Sequence, residues 1–317
     1  MDEKPRAAAT HLFTQARPRL FGLAYRLLGS AEEAEDVVQD AFLRWHRADD
    51  AAIDTPVAWL TTIVTNLCLN RLTSARVRRE SYVGPWLPEP VFTASGALGP
   101  LETVEQRDSV AFGVLVMLER LTPPERAVFV LREAFGHRHR DIAGILGIDE
   151  AHSRQLHHRA RAHIAAARPR FPVDPARRAQ ITARFLAAVL DGDLAGLESL
   201  LAEDVVSWAD GGGQVTASRR PIVGRATVLR YLRGMSTRPE VAFVRTEIAE
   251  VNGQPAVLLS VEDRLAGVLA PEIDGDQVGG GSVHPQSGEA RVPRRATVTW
   301  ITSCCCHGTR RSPVQAP

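Results

Sequence analysis

The segment Ile148–Arg170 holds the side chains of this chain that are best suited to bind an anionic polymer. It reads IDEAHSRQLHHRARAHIAAARPR, and after Asp149 and Glu150 it contains five arginines, four histidines and no carboxylate. The formal net charge of the whole chain is only +1, so this positive charge is local. Arginine can donate two hydrogen bonds to guanine, glutamine can pair with adenine, and further arginines suit phosphates. The segment is therefore a candidate nucleic-acid-binding surface.

The spacing of apolar residues predicts that this segment is a helix with one buried face. When Leu156 faces inward, Ala160 and Ile164 follow on the same face at steps of four residues. The opposite arc carries the candidate base and phosphate contacts Arg154, Gln155, His158 and Arg161. An ordinary solvated basic face is the alternative interpretation of the same pattern.

A helix and a tight turn in front of this segment favour DNA binding over that alternative. The run HRDIAGIL predicts a short helix that stops at Gly147, and Asp149 is placed to cap the helix that follows. Two helices joined across a glycine turn form a helix-turn-helix. The second helix of that motif enters the major groove of DNA, which is the role that the basic arc suits.

Two further helices are predicted near the N-terminus. Ser30 and Glu33 form a capping box, and the helix that they start carries Asp36 and Asp40 on one exposed face. The stretch Thr55–Arg79 has a proline in its first turn and contains no acidic residue. These helices define a first helical module over residues 10–80.

Residues 81–110 are predicted to be a linker to a second helical module over residues 111–170, because residues 81–100 are rich in Pro, Gly and Ser. A helix of this second module is capped by Thr122 and Glu125, with proline in its first position, and it ends at Gly136. The helix-turn-helix follows directly.

Residues 174–270 predict an α+β domain, because helices are followed there by alternating apolar runs. Asn252-Gly253 between two such runs is a strong signal for a two-residue hairpin turn. Residues 271–317 lack sustained periodicity and are expected to form a disordered or atypical tail. The adjacent Cys304–Cys306 and His307 cannot easily surround one ion tetrahedrally, so we expect neither a metal nor a cofactor.

Length and composition limit the classes of function. A chain of 317 residues with 44% hydrophobic and 24% charged residues is typical of globular proteins with two or three domains. No apolar run approaches the roughly 18 residues of a membrane span, and the N-terminus lacks the apolar core of a secretory signal. We therefore expect a cytoplasmic protein with no membrane partner. The cysteine spacing fits neither CxxC pairs nor a disulfide framework, which is consistent with a reducing compartment.

Three motifs, in order, resemble the sigma-70 family and within it the extracytoplasmic-function sigma factors. They are EDVVQDAFLRWH at residues 35–46, PVAWLTTIVTNLCLNRL at 56–72, and LTPPERAVFVLRE followed by DIAGILGIDEAHSRQLHHRAR at 121–161. The resemblance covers about residues 19–168. It implies that the first module binds the promoter −10 element and the polymerase clamp, and that the second reads the −35 element.

Site residues follow from the resemblance position by position. In this family the first motif docks on the core of RNA polymerase, on the clamp of the largest subunit and on the β subunit, which implies polymerase contacts at Asp36, Gln39, Asp40 and Phe42. For Phe42 a plain core position is the alternative. The second motif holds the −10 element, which implies DNA contacts at Asn66, Asn70, Arg71, Arg76, Arg78 and Arg79. For the last three arginines a solvated helix end is the alternative.

The α+β region resembles SnoaL-like domains, and one group of extracytoplasmic-function sigma factors carries such a fused extension together with a WLP motif in the linker and a DGGGK motif in the extension. Here Trp86, Leu87 and Pro88 match the first motif. Asp210, Gly211, Gly212 and Gly213 match the second, with Gln214 in place of lysine. The resemblance implies that these residues mediate contact between the extension and the sigma modules, and an unknown small ligand of the extension remains open.

The sequence thus predicts a multidomain protein with two all-α sigma modules, a SnoaL-like α+β domain and an irregular tail. The expected function is a non-enzymatic sigma factor that directs bacterial RNA polymerase to specific promoter DNA and is regulated by its own C-terminal domain. One alternative is a ligand-responsive helix-turn-helix regulator, which would not need a −10 module. Another is a SnoaL-like enzyme with a His/Asp acid-base pair, but no histidine lies between His163 and His284 to pair with Asp204 or Asp210.

Overall fold

A computed structural model gives the fold of the chain. It describes residues 3–48, 53–80, 87–93, 109–164, 174–210, 220–262, 264–279 and 297–301.

The first helical module consists of α1 (Glu3–Leu28), α2 (Ala31–Arg47) and α3 (Pro56–Glu80). The predicted cap of α2 is confirmed, since the Ser30 hydroxyl accepts a hydrogen bond from the Glu33 backbone N–H at 3.1 Å. The three helices pack on one another, and Trp45 of α2 contacts Trp59 of α3 with ring centroids 5.9 Å apart.

The second helical module contains α4 (Phe112–Leu118), α5 (Pro123–Glu133), α6 (His139–Leu146) and α7 (Glu150–Ile164). The predicted cap of α5 is confirmed, because the Glu125 carboxylate accepts hydrogen bonds from the backbone N–H and the hydroxyl of Thr122. A left-handed residue, Gly147 with φ 66°, ends α6 as expected for a residue without Cβ.

The two helical modules share one continuous hydrophobic core. Leu20 of α1, Val64 of α3, Val128 of α5 and Ile142 of α6 are among its buried members. Helix α3 packs directly on α5 and α6. The modules therefore lie together as one closed body instead of standing apart on a free linker.

Buried arginines cross the boundary between the modules. The Arg26 guanidinium of α1 donates to the Ser109 hydroxyl at 2.8 Å and lies over the ring of Phe135. Burial lowers the pKa of Arg26 to about 10, which leaves it charged at neutral pH. Arg126 of α5 donates to the backbone carbonyl of Leu27 at 2.7 Å and to Glu119 at 2.6 Å. Since that carbonyl lies at the C-terminal end of α1, the arginine also opposes the negative end of the helix dipole.

The C-terminal α+β domain contains helices on one face of a mixed sheet. Its helices are α8 (Pro175–Asp191), α9 (Leu194–Leu200), α10 (Arg225–Ser236) and the 3-10 turn Pro239–Phe243. Its strands are β1 (Val206–Asp210), β2 (Ile222–Val223), β3 (Arg245–Val251), β4 (Gln254–Val261), β5 (Arg264–Pro271), β6 (Ile273–Asp274), β7 (Gln277–Val278) and β8 (Thr297–Ile301). The helical face is sealed by a core that includes Phe185, Leu232 and Val257.

The strand order of the main sheet is β2-β1-β8-β5-β4-β3. The predicted hairpin turn is confirmed, because β3 and β4 pair antiparallel with Val251 opposite Gln254 across Asn252-Gly253. The tail contributes β8, which runs parallel to β1 and antiparallel to β5. Its TVTWI sequence is rich in β-branched residues, but a five-residue run becomes a strand only when open sheet edges are available to it on both sides.

The second face of the sheet is covered by the helical part of the chain. Leu87 of the linker and Phe112 of α4 are buried against Val251, Leu258 and Val268. Side chains alternate along β4, so Leu258 faces the helical modules whereas Val257 faces the helices of its own domain. The sheet is therefore the middle layer between two sets of helices.

Candidate nucleic-acid interface

Helix α7 presents the four candidate DNA contacts on an exposed arc. Arg154, Gln155, His158 and Arg161 are all exposed. The predicted inward face is confirmed, since Leu156, Ala160 and Ile164 are buried. Ser153 is fully buried on the same face as well.

The buried Ser153 hydroxyl is satisfied by a partner from the preceding helix. Nδ1 of His139, in the first turn of α6, lies 3.0 Å from the Ser153 oxygen. The His139 and His157 rings are 5.4 Å apart, and Nε2 of His157 lies 2.8 Å from a Glu133 carboxylate oxygen. Partial burial, with the neighbouring His157 and arginine charges, lowers the pKa of His139. This polar cluster fixes α7 against α5 and α6.

The start of α7 is also fixed by its own cap. The Asp149 carboxylate accepts the His152 backbone N–H at 2.7 Å, as predicted. One turn later Arg154 forms an ion pair with Glu150 at 2.5 Å. Arg154 is thus oriented before any ligand arrives, although an exposed pair of this kind contributes less than about 1 kcal/mol.

The −10 candidates on α3 are divided between exposed amides and one paired arginine. Asn66 and Asn70 are exposed. The Arg71 guanidinium lies 3.2 Å from the Asp36 carboxylate and 3.4 Å from that of Asp40. The structure therefore joins a candidate DNA contact to two candidate polymerase contacts, which sequence patterns do not reveal. The side chains of Arg76, Arg78 and Arg79, at the end of α3, fall outside the described set.

The polymerase candidates on α2 differ in their environment. Asp36 and Gln39 are exposed and Asp40 is partly exposed, so the predicted acidic face is open to solvent. Phe42 is half-buried, and its ring centroid lies 4.9 Å from that of Phe13 in α1. Phe42 therefore contributes to the core of the first module while keeping one edge at the surface.

The regulatory candidates are only partly within the described residues. Leu87 is buried in the face of the sheet and Pro88 is also buried. Asp210 ends β1, where only its backbone is described. Trp86 and Gly211–Gly213 lie outside the described residues.

Sequence reasoning missed Glu89, which follows the WLP motif directly. Its carboxylate accepts the backbone N–H of Ala31 at 2.7 Å and of Glu32 at 3.2 Å, and the Ser30 hydroxyl donates to it at 2.9 Å. A carboxylate at a helix N-terminus satisfies free N–H groups and opposes the helix dipole. The linker is thus anchored on the first module. The only local signal is a glutamate directly after the WLP motif, and that signal does not indicate which residues the glutamate contacts.

The described residues contain neither a helix that could span a membrane nor a cluster of side chains that could hold a metal ion. No helix among them is long and apolar enough to span a bilayer. Within the same residues, no group of three or more His, Cys, Asp or Glu side chains is arranged to hold a metal ion. Cys304–Cys306 and His307 lie outside them, whereas Cys68 is fully buried in α3.

Comparison with known families places both helical modules. Residues 12–78 match the family Sigma-70 region 2, and residues 112–164 match Sigma-70, region 4. The first match contains α2 and most of α3, and the second contains the helix-turn-helix.

Known relatives and a solved structure extend the similarity to most of the chain. The ECF RNA polymerase sigma factor SigJ of Mycobacterium tuberculosis is 40% identical over 245 residues, which cover 76% of this chain and 78% of the relative. The probable ECF RNA polymerase sigma factor SigI of the same species is 37% identical over 264 residues, with coverages of 83% and 88%. The crystal structure of M. tuberculosis SigJ is similar with a TM-score of 0.71 and 30% identity, covering 93% of this chain and 96% of that one.

Proposed function

The chain belongs to the sigma-70 family as an extracytoplasmic-function sigma factor, and from this membership we propose how its parts divide the work of transcription initiation. It is a promoter-specific sigma factor, and sigma factors of this family bind core RNA polymerase and promoter DNA. We assign residues 10–80 to −10 and clamp binding, 111–170 to −35 binding and 174–270 to regulation, with 81–110 as the linker and 271–317 as the tail.

The −35 element is read by the exposed arc of α7. The observation that carries this proposal is the combination of an exposed basic arc with a fully buried opposite face on the second helix of a helix-turn-helix. Gln155 and the arginines can donate to base edges in the major groove, and His158 can contact a base or a phosphate. The cluster around Ser153 holds the arc rigid, which limits the entropy lost on binding.

The −10 element is held by α3, and the polymerase clamp by α2. Exposed Asn66 and Asn70 suit base edges of single-stranded DNA, and the arginines near the end of α3 suit its phosphates. Asp36, Gln39 and Asp40 offer an acidic surface for basic groups of the clamp of the largest subunit, with the β subunit alongside. Arg71 contributes to both surfaces through its two carboxylate partners.

The C-terminal domain regulates initiation by packing on the sigma modules. Burial of Leu87 and Phe112 in its sheet supports this proposal, because the covered residues belong to the linker and to the second module. A regulator shifts an equilibrium only through contacts that differ between two states. Those contacts exist in the closed arrangement, so the domain favours that arrangement over one with separated modules.

In vitro transcription tests the assignment. The full-length protein, added to core polymerase and a library of promoter fragments, should start transcription from a subset that shares a −35 and a −10 sequence. A protein that binds DNA without supporting initiation would instead be a separate helix-turn-helix regulator, and the proposal would be wrong.

A further inference from the structure

Asn252, at the tip of the β3–β4 hairpin, is polar yet fully buried. Its φ is 53°, a left-handed conformation that asparagine tolerates better than most residues, as the Asn-Gly turn requires. Hairpin tips usually face solvent, where their polar side chains are hydrated. This tip is instead inserted between the linker and both helical modules.

The side-chain amide of Asn252 joins three separate segments. Its Oδ1 accepts the backbone N–H of Val91 in the linker at 2.9 Å. Its Nδ2 donates to the Tyr25 hydroxyl of α1 at 2.6 Å and to the carbonyl of Val110, the last residue of the linker, at 2.8 Å. One amide thus bonds the C-terminal domain to the first module and to two parts of the linker, the second of which directly precedes the second module.

A second set of bonds extends this junction. The Asn252 backbone N–H donates to the Val91 carbonyl at 2.9 Å, and Thr93 of the linker donates from its hydroxyl to Glu250 of β3 at 2.7 Å. The Tyr25 hydroxyl, which accepts from Asn252, donates to the Glu89 carbonyl at 2.5 Å. Since the Glu89 carboxylate caps α2, the bonds run without a break from the hairpin to the first module.

These hydrogen bonds stabilise only the closed arrangement, in which the two modules are packed together. Tyr25 and Asn252 are buried, so water cannot reach them. Loss of a hydrogen-bond partner there leaves the remaining donors and acceptors unpaired. Once the modules separate, water can reach the same groups and satisfy them. Loss of the Asn252 amide therefore raises the free energy of the closed form and leaves that of the open form nearly unchanged.

The closed arrangement cannot span a promoter. Elements centred near −35 and −10 are about 25 base pairs apart, or about 85 Å along B-form DNA at 3.4 Å per pair. Helix α3 packs on α5 and α6, and a single core joins the modules. The two modules together comprise about 130 residues, and a compact body of that size measures only about 35 to 40 Å across. Binding both elements at once therefore requires the modules to separate.

We propose that Asn252 is the latch through which the C-terminal domain holds the two sigma modules closed. The inference rests on the proposed regulation of initiation by this domain and names the contact that performs it. Release of the latch lets the first and second modules move apart on their linker.

Distance measurement in the full-length protein tests the latch. Donor and acceptor dyes are attached at Thr73→Cys in α3 and Ala162→Cys in α7, both exposed, with Cys304–Cys306 changed to serine and the buried Cys68 left in place. In Asn252→Ala the open population should rise by about tenfold or more, as expected from the loss of a buried hydrogen-bond partner. Transcription by the unlabelled variant should rise with it.

A matched control separates the lost bonds from backbone strain. Glu262, in the β4–β5 turn, also has a positive φ of 49° and is exposed. Glu262→Ala places the same strained alanine in a turn of the same domain and should leave the dye distances unchanged. Tyr25→Phe is a second variant, which keeps the ring in the core and removes only the hydroxyl between Asn252 and Glu89. It should open the modules in the same direction as Asn252→Ala.

The possible outcomes distinguish closure of the modules by Asn252 from regulation of transcription by the C-terminal domain. Wider distances in Asn252→Ala and Tyr25→Phe together with increased transcription support both. Wider distances with unchanged transcription support the latch and overturn regulation by the domain. Distances in both variants equal to those of wild type and Glu262→Ala overturn the latch, whatever transcription does.

Discussion

Arg154 and Arg161 lie on the same exposed flank of α7 but differ in what holds them. Arg154 is oriented by its ion pair with Glu150 one turn earlier. Arg161 lies two turns further along, close to the end of the helix. The N-terminal residues of a recognition helix are those that contact base edges, so Arg154 is the better placed for a base and Arg161 for a phosphate.

We predict that Arg154→Ala and Arg161→Ala both weaken binding to a cognate −35 duplex, with different signatures. Loss of a base contact at Arg154 should cost about 1 to 3 kcal/mol and relax specificity at one position. Loss of a phosphate contact at Arg161 should lower the slope of log K against log salt by about one. Fluorescence anisotropy across a salt series measures both quantities.

Arg159→Ala is the matched control for these variants. Arg159 is exposed on the same helix but lies on its other flank. Arg159→Ala therefore removes one positive charge, as the other two variants do, but from a different side of the helix. It should change affinity less than either variant. Unchanged affinity and salt slope in both Arg154→Ala and Arg161→Ala would exclude this flank of α7 from the DNA interface.

His139 should make the second module sensitive to acid. Its pKa is lowered in the folded protein by partial burial and by His157, Arg132 and Arg154, whereas the unfolded pKa is about 6.5. The unfolded chain therefore binds the proton first, and the stabilisation present above about pH 6.5 is lost as the pH falls through and below that value. Thermal unfolding followed at pH 7.5 and pH 5.5 should show a lower Tm at pH 5.5.

His139→Gln isolates this contribution. Glutamine can still bond the buried Ser153 hydroxyl but does not titrate, so the drop in Tm between the two pH values should become smaller. His137, whose pKa burial also lowers, remains in this variant and retains part of the drop. An identical drop in wild type and His139→Gln would show that His139 does not contribute.

Helix α2 is built to present two surfaces at once. Val37, Val38 and Ala41 face the core, and Asp36 and Asp40 face outward from the same turns. Both carboxylates form ion pairs with Arg71 of α3. These ion pairs connect the acidic surface of α2 to the part of α3 that carries the candidate −10 contacts. The relative orientation of α2 and α3 therefore determines how the acidic surface and the candidate −10 contacts are placed.

We predict that Asp36→Arg combined with Asp40→Arg abolishes co-purification with core polymerase while the helical fold is retained. Charge reversal at an interface costs several kcal/mol through repulsion of like charges. The lost pairs join a partly buried Arg71 to two carboxylates that are about half exposed, and surface pairs contribute about 0 to 1 kcal/mol each, so the fold should survive. Circular dichroism checks the fold, and co-purification from cells or purified core checks the interface.

The control reverses a charge elsewhere on α2. Glu35 lies on the opposite flank of the helix and is ion-paired with Arg17 of α1. Glu35→Arg should co-purify with core polymerase at wild-type yield. If the Asp36 and Asp40 double variant also did so, the clamp would bind another surface.

At the scale of the whole molecule, one sheet contributes to two hydrophobic cores, one on each of its faces. Its first face packs on α8–α10, and its second face buries Leu87 and Phe112. A chain that ends just after Arg170 leaves both residues without cover. We predict that this truncation binds more hydrophobic dye than the full-length protein, and that its transcription from a cognate promoter increases because the closed arrangement has lost its stabilising layer.

Full-length protein, the truncation, Trp86→Ala and Asp210→Ala should be measured side by side. The two point variants fall in the motifs that resemble regulatory contacts of the family and should each change activity. Equal transcription by all four proteins would mean that the C-terminal domain does not regulate initiation in this chain.

Local chemistry made much of the fold predictable. The caps at Ser30, Thr122 and Asp149, the left-handed Gly147 and the Asn252-Gly253 turn depend on residues within a few positions of one another, and all were predicted correctly. The buried and exposed faces of α7 follow from helical periodicity in the same way. Neighbouring residues are enough for these features, because their bonds close over one or two turns.

Contacts between distant segments had no such local signal. The Asn-Gly pair predicts a turn but not that its side chain bonds Tyr25, 227 positions away. Glu89 caps α2 from 58 positions further along the chain, and Arg71 pairs with carboxylates of another helix. The tail strand β8 forms only because β1 and β5 leave a space between them. Each of these contacts depends on how completed elements pack, since a side chain can choose a partner only after tertiary folding has brought the two within hydrogen-bonding distance.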